Sequence, residues 1–137
     1  MSKRWRPSLP TEAVAALNED AEHNRRELAD LGLPDRPMYY DRDGNPIGLG
    51  DWAEANNDLD YKRVARTFVG AVEVSTVWLG LDHGLMGDRP LIFETMCFTW
   101  VGGDRAISDD YMERYSTEQE ALEGHDRIVA RIKARVA

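Results

Sequence analysis

Two β-rich runs, residues 64–69 and 72–81, are separated only by Gly70 and Ala71. A two-residue connection joins antiparallel strands, because a parallel crossover needs a dozen residues or more. Glycine in such a loop supplies the positive φ that tight hairpins require. The middle of the chain is thereby committed to an antiparallel sheet. Along 72–81, Val72, Val74, Thr76 and Trp78 share one face, and Glu73, Ser75, Val77, Leu79 and Leu81 share the other. The second half of this run is apolar on both faces, which predicts a central strand covered on both sides. Residues 91–100 read as a third strand, rich in β-branched and aromatic side chains. Gly102, Gly103 and Asp104 turn the chain, and 106–115 adds a weaker fourth strand with Tyr111 and Tyr115 as anchors.

Helices flank this region. Thr117 is followed three residues later by Glu120, the capping-box signature of a helix start. Leu122, His125, Val129, Ile132 and Val136 then recur at three- and four-residue steps. This spacing predicts a core helix with Leu122 as a buried anchor. Gly124 costs a helix about 1 kcal/mol relative to Ala, so its presence implies close approach to the sheet. A second helix is expected over 11–31, opened by Pro10 with Thr11 as N-cap and stopped by Gly32 and Pro34. Its stripe of Val14, Leu17, Leu28 and Leu31 is thin, which suits a surface helix or one paired with a second copy. Between the helix and the sheet, 38–47 reads as a hairpin about Asp43-Gly44, with Pro46 limiting the return strand to a short bridge. Residues 48–59 read as a short helical turn with Trp52, Ala55 and Leu59 on one side.

The expected fold is therefore α+β: a three- to four-stranded, mostly antiparallel sheet, a C-terminal helix packed on one face, and an additional N-terminal helix. Residues 11–137 form a single domain, preceded by a mobile N-terminal arm at 1–10.

Charge narrows the partners. The net charge is -8, and residues 37–110 alone hold 13 acidic against 6 basic side chains. Direct nucleic-acid binding and binding to anionic membranes are not expected, because both need a basic surface. The single Cys97 precludes an internal disulfide and a cysteine-cluster zinc site. No apolar run approaches the length of a membrane helix, and the basic N-terminus lacks the apolar stretch of a signal peptide. The expected location is cytoplasmic.

Motifs for chemistry are sparse. Asp41, Asp43 and Asn45 begin a calcium-loop pattern, but Pro46 stands where Gly is needed and Trp52 where a bidentate Glu is needed. No metal and no cofactor is expected. Asp82 and His83 follow an apolar strand directly, and Glu94 sits in the next strand among Ile92, Met96 and Phe98. If these three converged they would suit acid–base or metal-assisted hydrolysis. The plainer reading is a loop histidine and a structural glutamate paired with Arg63, Arg66, Arg105 or Arg114. His125 on the helical stripe and Cys97 in mid-strand read as core residues. Trp5, between Arg4 and Arg6, has no core role in sequence terms, and an exposed aromatic–arginine cluster is the composition of an interface anchor.

The segments YYDRDGNPI, VSTVWLGLDHG, PLIFETM and RYSTEQEALEGH, in this order, resemble a group of small proteins encoded by actinobacterial phages and prophages. The resemblance spans roughly residues 38–126, with the N-terminal helix and arm as an addition. It transfers no catalytic residues. It implies a phage-encoded protein acting in a bacterial cytoplasm or carried in a virion. The expected function is that of an accessory factor acting by non-enzymatic binding to a host or phage protein, with a homodimer as its own state. The alternatives are the hydrolase built on Asp82, His83 and Glu94, and a protein that sequesters a small ligand.

Overall fold

The computed structural model describes residues 3–33, 36–84 and 87–136, with the backbone alone at 107–110. The chain forms α1 (Thr11–Asp30), α2 (Leu49–Asn56), α3 (Leu59–Lys62), β1 (Arg63–Val69), β2 (Val72–Trp78), β3 (Phe93–Val101), β4 (Asp104–Tyr115) and α4 (Glu118–Val136). The four strands form one antiparallel meander in the order β1-β2-β3-β4. The α+β expectation therefore holds. Gly70 takes φ +59° and lets β1 turn directly into β2, with Val69 opposite Val72.

α4 runs across one face of the sheet and touches all four strands. Thr117 caps it: its hydroxyl accepts from the Glu120 amide at 3.1 Å and donates to the Glu120 carboxylate at 3.0 Å. The phase of its buried stripe differs from the expectation. Ala121, Gly124, His125, Ile128 and Ile132 face the sheet, whereas Leu122 is 43% exposed and Val136 is exposed. The reason is size. A Cβ at position 124 would collide with the Tyr115 ring, so the smallest residues set how closely helix and sheet approach. Ile128 and Ile132 then reach Val74 and Cys97. A second cluster joins Trp78, Phe93 and Tyr115 at one end of the sheet to Tyr40, Ala55, Tyr61 and Ile92.

Polar groups under α4 are matched to one another. His125 Nδ1 lies 2.8 Å from the Thr76 hydroxyl and Nε2 2.8 Å from that of Thr67. Thr76 also meets Thr95 at 2.5 Å, and the Tyr115 hydroxyl lies 3.1 Å from that of Thr95 while donating to the Glu113 carboxylate at 2.9 Å. Burial pushes the His125 pKa down, against the opposing pull of Asp126.

Other expectations are modified. β2 ends at Trp78 rather than at 81, because the amides of Leu79 and Gly80 both turn to the carbonyl of Ile92. The 38–47 hairpin is reduced to the bridge Tyr40↔Pro46, with Tyr39 bridging Leu81 instead. Pro10, not Thr11, is the cap residue of α1, and it offers no side-chain hydrogen bond. Pro34, expected to stop α1, lies outside the described residues. α1 carries no buried residue and touches α2 alone among the elements. Leu59 is exposed, away from the side that Ala55 buries. Residues 3–10, expected as a mobile arm, lie against α2 and α3. Glu54 accepts from the Ser8 and Leu9 amides at 3.0 Å and from Trp5 Nε1 at 3.1 Å, while Asp58 accepts from the Arg6 amide at 2.9 Å. No helix among the described residues is long and apolar enough to cross a membrane.

Two predictions follow from this core. Ile128→Ala should cost about 2–5 kcal/mol by urea unfolding, the range for truncating a buried aliphatic side chain, whereas exposed Leu122→Ala should stay within about 0.5 kcal/mol. Equal losses would place the helix in a different rotation. The second prediction concerns pH. The folded state binds the His125 proton more weakly than the unfolded chain, whose histidine titrates near 6.5. The unfolded state therefore takes up the proton first, and stability falls as pH drops below that value. The urea midpoint should fall between pH 7.5 and pH 5.5, and His125→Gln should flatten the slope.

Candidate binding face

The meander places alternate residues of each strand on the face opposite α4. Its cross-strand rows are Phe68–Glu73–Phe98, Arg66–Ser75–Met96–Met112 and Arg63–Val77–Glu94–Arg114, with Trp100–Arg105 beyond them. Of the four helices only α4 contacts β3 and β4, and it does so from the other side. The expectation that the central strand is covered on both faces is thus corrected: one face is covered and one is open. The residues expected to make the second face apolar, Leu79 and Leu81, lie beyond the end of the strand.

The centre of the open face is a buried carboxylate. Glu73 is 1% exposed although no helix lies over it. Its cover comes from its own neighbours. Arg66 Nε donates to Oε2 at 2.7 Å, Arg105 Nε to Oε1 at 2.9 Å and Trp100 Nε1 to Oε1 at 3.1 Å. Burial alone would raise the Glu73 pKa, but these three donors outweigh it and hold the carboxyl below its usual range. Each arginine also lies over a ring. The guanidinium carbon of Arg66 is 4.8 Å from the centroid of Phe68, and that of Arg105 is 3.5 Å from Phe98. Only Nε of each is used by Glu73, so the Nη groups have no partner among the described residues. Beside this cluster Phe68 is 51% and Met112 55% exposed. Arg114 pairs with Glu94 at 2.9 Å one row further on. Among the described residues, the hydrogen bonds, ion pairs and ring contacts of these side chains stay within the face.

Charge is uneven as well: at the centre of this face Arg66 and Arg105 share the single carboxylate of Glu73, a net +1 cluster in a chain of net -8.

The residues proposed for hydrolysis are not gathered into one site. Asp82 is buried, ion-paired with Arg36, and accepts from the amides of Gly84 at 2.7 Å and Leu91 at 3.0 Å. Burial raises its pKa, but these donors outweigh it and lower it overall. His83 is exposed, and Glu94 is held by Arg114 as a structural pair. No group of three His, Cys, Asp or Glu side chains among the described residues could hold a metal ion. The Asp41 turn is closed internally: its Oδ1 accepts from the amides of Asp43 and Asn45, both at 2.9 Å. Burial pushes the Cys97 thiol up to about 11, which keeps it protonated at neutral pH. Trp5 stands edge-on to Tyr61 at 5.3 Å, so it is an anchor toward the chain's own core. Arg4 lies 5.9 Å from the Trp5 ring, and Arg6 reaches Asp60 at 3.3 Å.

The open face was missed in sequence terms although its signal was present. Glu73 faces Phe98 and Arg66 faces Ser75 only once the register is known. Glu73→Gln removes the charge that both guanidiniums share. The expected cost is about 1.5–3 kcal/mol, the range for a hydrogen bond to a charged group, read as a shift of the urea midpoint at pH 7. A cost under about 0.3 kcal/mol would show that the arginines do not need the carboxylate.

Comparison with protein-family models, with curated proteins and with solved structures finds no match, so any functional reading rests on the geometry of this face.

Proposed function

We propose that the protein is a non-enzymatic binding protein whose working surface is the open sheet face. The observation that carries this reading is the pairing of exposed Phe68 and Met112 with two arginines held in place by a buried carboxylate. Aromatic residues, methionine and arginine are the types enriched in the cores of protein interfaces. Arginines already stacked and hydrogen-bonded lose less side-chain freedom on binding, so more of the contact energy survives as affinity. The phage resemblance supplies the setting: an accessory factor meeting a host or phage protein in the bacterial cytoplasm. The hydrolase reading is weaker, because using Asp82 or Glu94 as an acid or base would first require breaking its arginine pair.

The test compares two proteins. Full-length chain and the double variant Phe68→Ser with Met112→Ser are used in parallel to isolate partners from the host. Both side chains are exposed, so the variant should keep its melting temperature within a few degrees. A partner held by the parent and lost by the folded variant is the expected result. Equal retention by both would overturn the assignment of the face.

A further inference from the structure

We infer that the open face takes a short, extended protein segment in which acidic and apolar side chains alternate. This rests on the binding reading above and names the partner's chemistry. Three observations carry it.

The first is length. β1 and β2 are seven residues long and β3 nine, and the Glu73 cluster and its apolar neighbours lie within that stretch. An extended segment of seven residues at about 3.3 Å each spans roughly 23 Å, the length of β1 and β2.

The second is charge. Arg66 and Arg105 share one carboxylate, so the Glu73 cluster is net +1. Two copies meeting face to face would set like charge against like. An acidic segment meets complementary charge there, and the net -8 of the chain limits how far an anionic partner can extend beyond the patch. A long polyanion such as a nucleic acid would leave the face and enter that acidic surround. A segment of about seven residues need not.

The third is the geometry of the arginines. Glu73 fixes both guanidiniums by their Nε atoms, one to each carboxylate oxygen. The Nη groups left over are paired donors suited to a second carboxylate. Phe68, Met96 and Met112 lie in the adjoining positions of the same rows. A segment with alternating side chains would set carboxylates on the arginines and apolar groups on these positions.

The experiment selects a random seven-residue displayed peptide library on the immobilised full-length chain. The counter-selection uses Arg66→Gln with Arg105→Gln, checked for folding by its melting curve. Should that variant unfold, Phe68→Ser replaces it, because Phe68 is exposed and outside the hydrogen-bond network. Synthetic peptides from the enriched pool are then titrated against both proteins, and oligo(dT) of 15 nucleotides against the parent, with amide shifts mapped by NMR. The expected result is enrichment of Asp and Glu alternating with apolar residues, shifts on β1–β4, and binding at least tenfold weaker on the variant. Basic or neutral enriched peptides, or equal binding to both proteins, would overturn the inference. Tighter binding of the oligonucleotide at this face would replace the partner class. Failure of every probe, while the Phe68→Ser, Met112→Ser protein still loses its partner, would overturn the acidic segment and leave the binding face standing. Retention of that partner by the variant would remove both.

Discussion

A sheet has two faces, and this chain supplies one helix to cover them. α4 is the only helix that reaches across all four strands. Its packing of Ile128 and Ile132 on Val74 and Cys97 uses up the apolar side of the meander. The opposite side must therefore be made stable in water by its own side chains. Glu73, Trp100 and the two arginines do this by laying long amphipathic stems over the pleat while their polar ends hydrogen-bond. Glu73 is ionised and dry because three donors converge on it. A face built in this way holds its long side chains in place without being covered.

The covered face solves a different problem. Thr67, Thr76, Thr95 and Tyr115 point toward the helix, where unpaired hydroxyls would cost about 1–3 kcal/mol each. His125 reaches two of the threonines at once, and Tyr115 closes the chain by bonding Thr95. Gly124 lets Tyr115 come close enough to do so. The network depends on a neutral imidazole, since both ring nitrogens face hydroxyls rather than a carboxylate. The same contact that specifies the helix rotation thus makes the core sensitive to acid.

Local signals were legible in the sequence, and long-range ones were not. The Gly70-Ala71 turn and the Thr117-Glu120 cap are each settled within a few residues, and both hold in the structure. The rotation of α4 was misread because periodicity weighs Leu122 above Ala121 and Gly124, whereas close packing favours the small residues. The docked arm was invisible because the acceptors for Trp5, Arg6, Ser8 and Leu9 lie about fifty positions away. Arg114 stood among the possible partners of Glu94, but only the register of β3 and β4 selects it. The open face is masked in the sequence because Leu79 and Leu81 continue the apolar run past Trp78, which makes the second face of the strand read as apolar and hence buried.

The N-terminal region shows how the acidic excess is used. Glu54 and Asp58 are both held below their usual pKa, first of all by backbone amides: Leu9 for Glu54 and Arg6 for Asp58. An amide donor carries no net charge, so each such bond satisfies a carboxylate without neutralising it. On the open face the carboxylates are instead paired with arginine. Glu54 therefore keeps its charge beneath the arm, Asp58 adds an ion pair with Arg6 at 3.8 Å, and on the sheet Glu73 and Glu94 are matched by arginine. A chain of net -8 thus carries, at Glu73, a cluster in which two guanidiniums share one carboxylate and their Nη donors are left over.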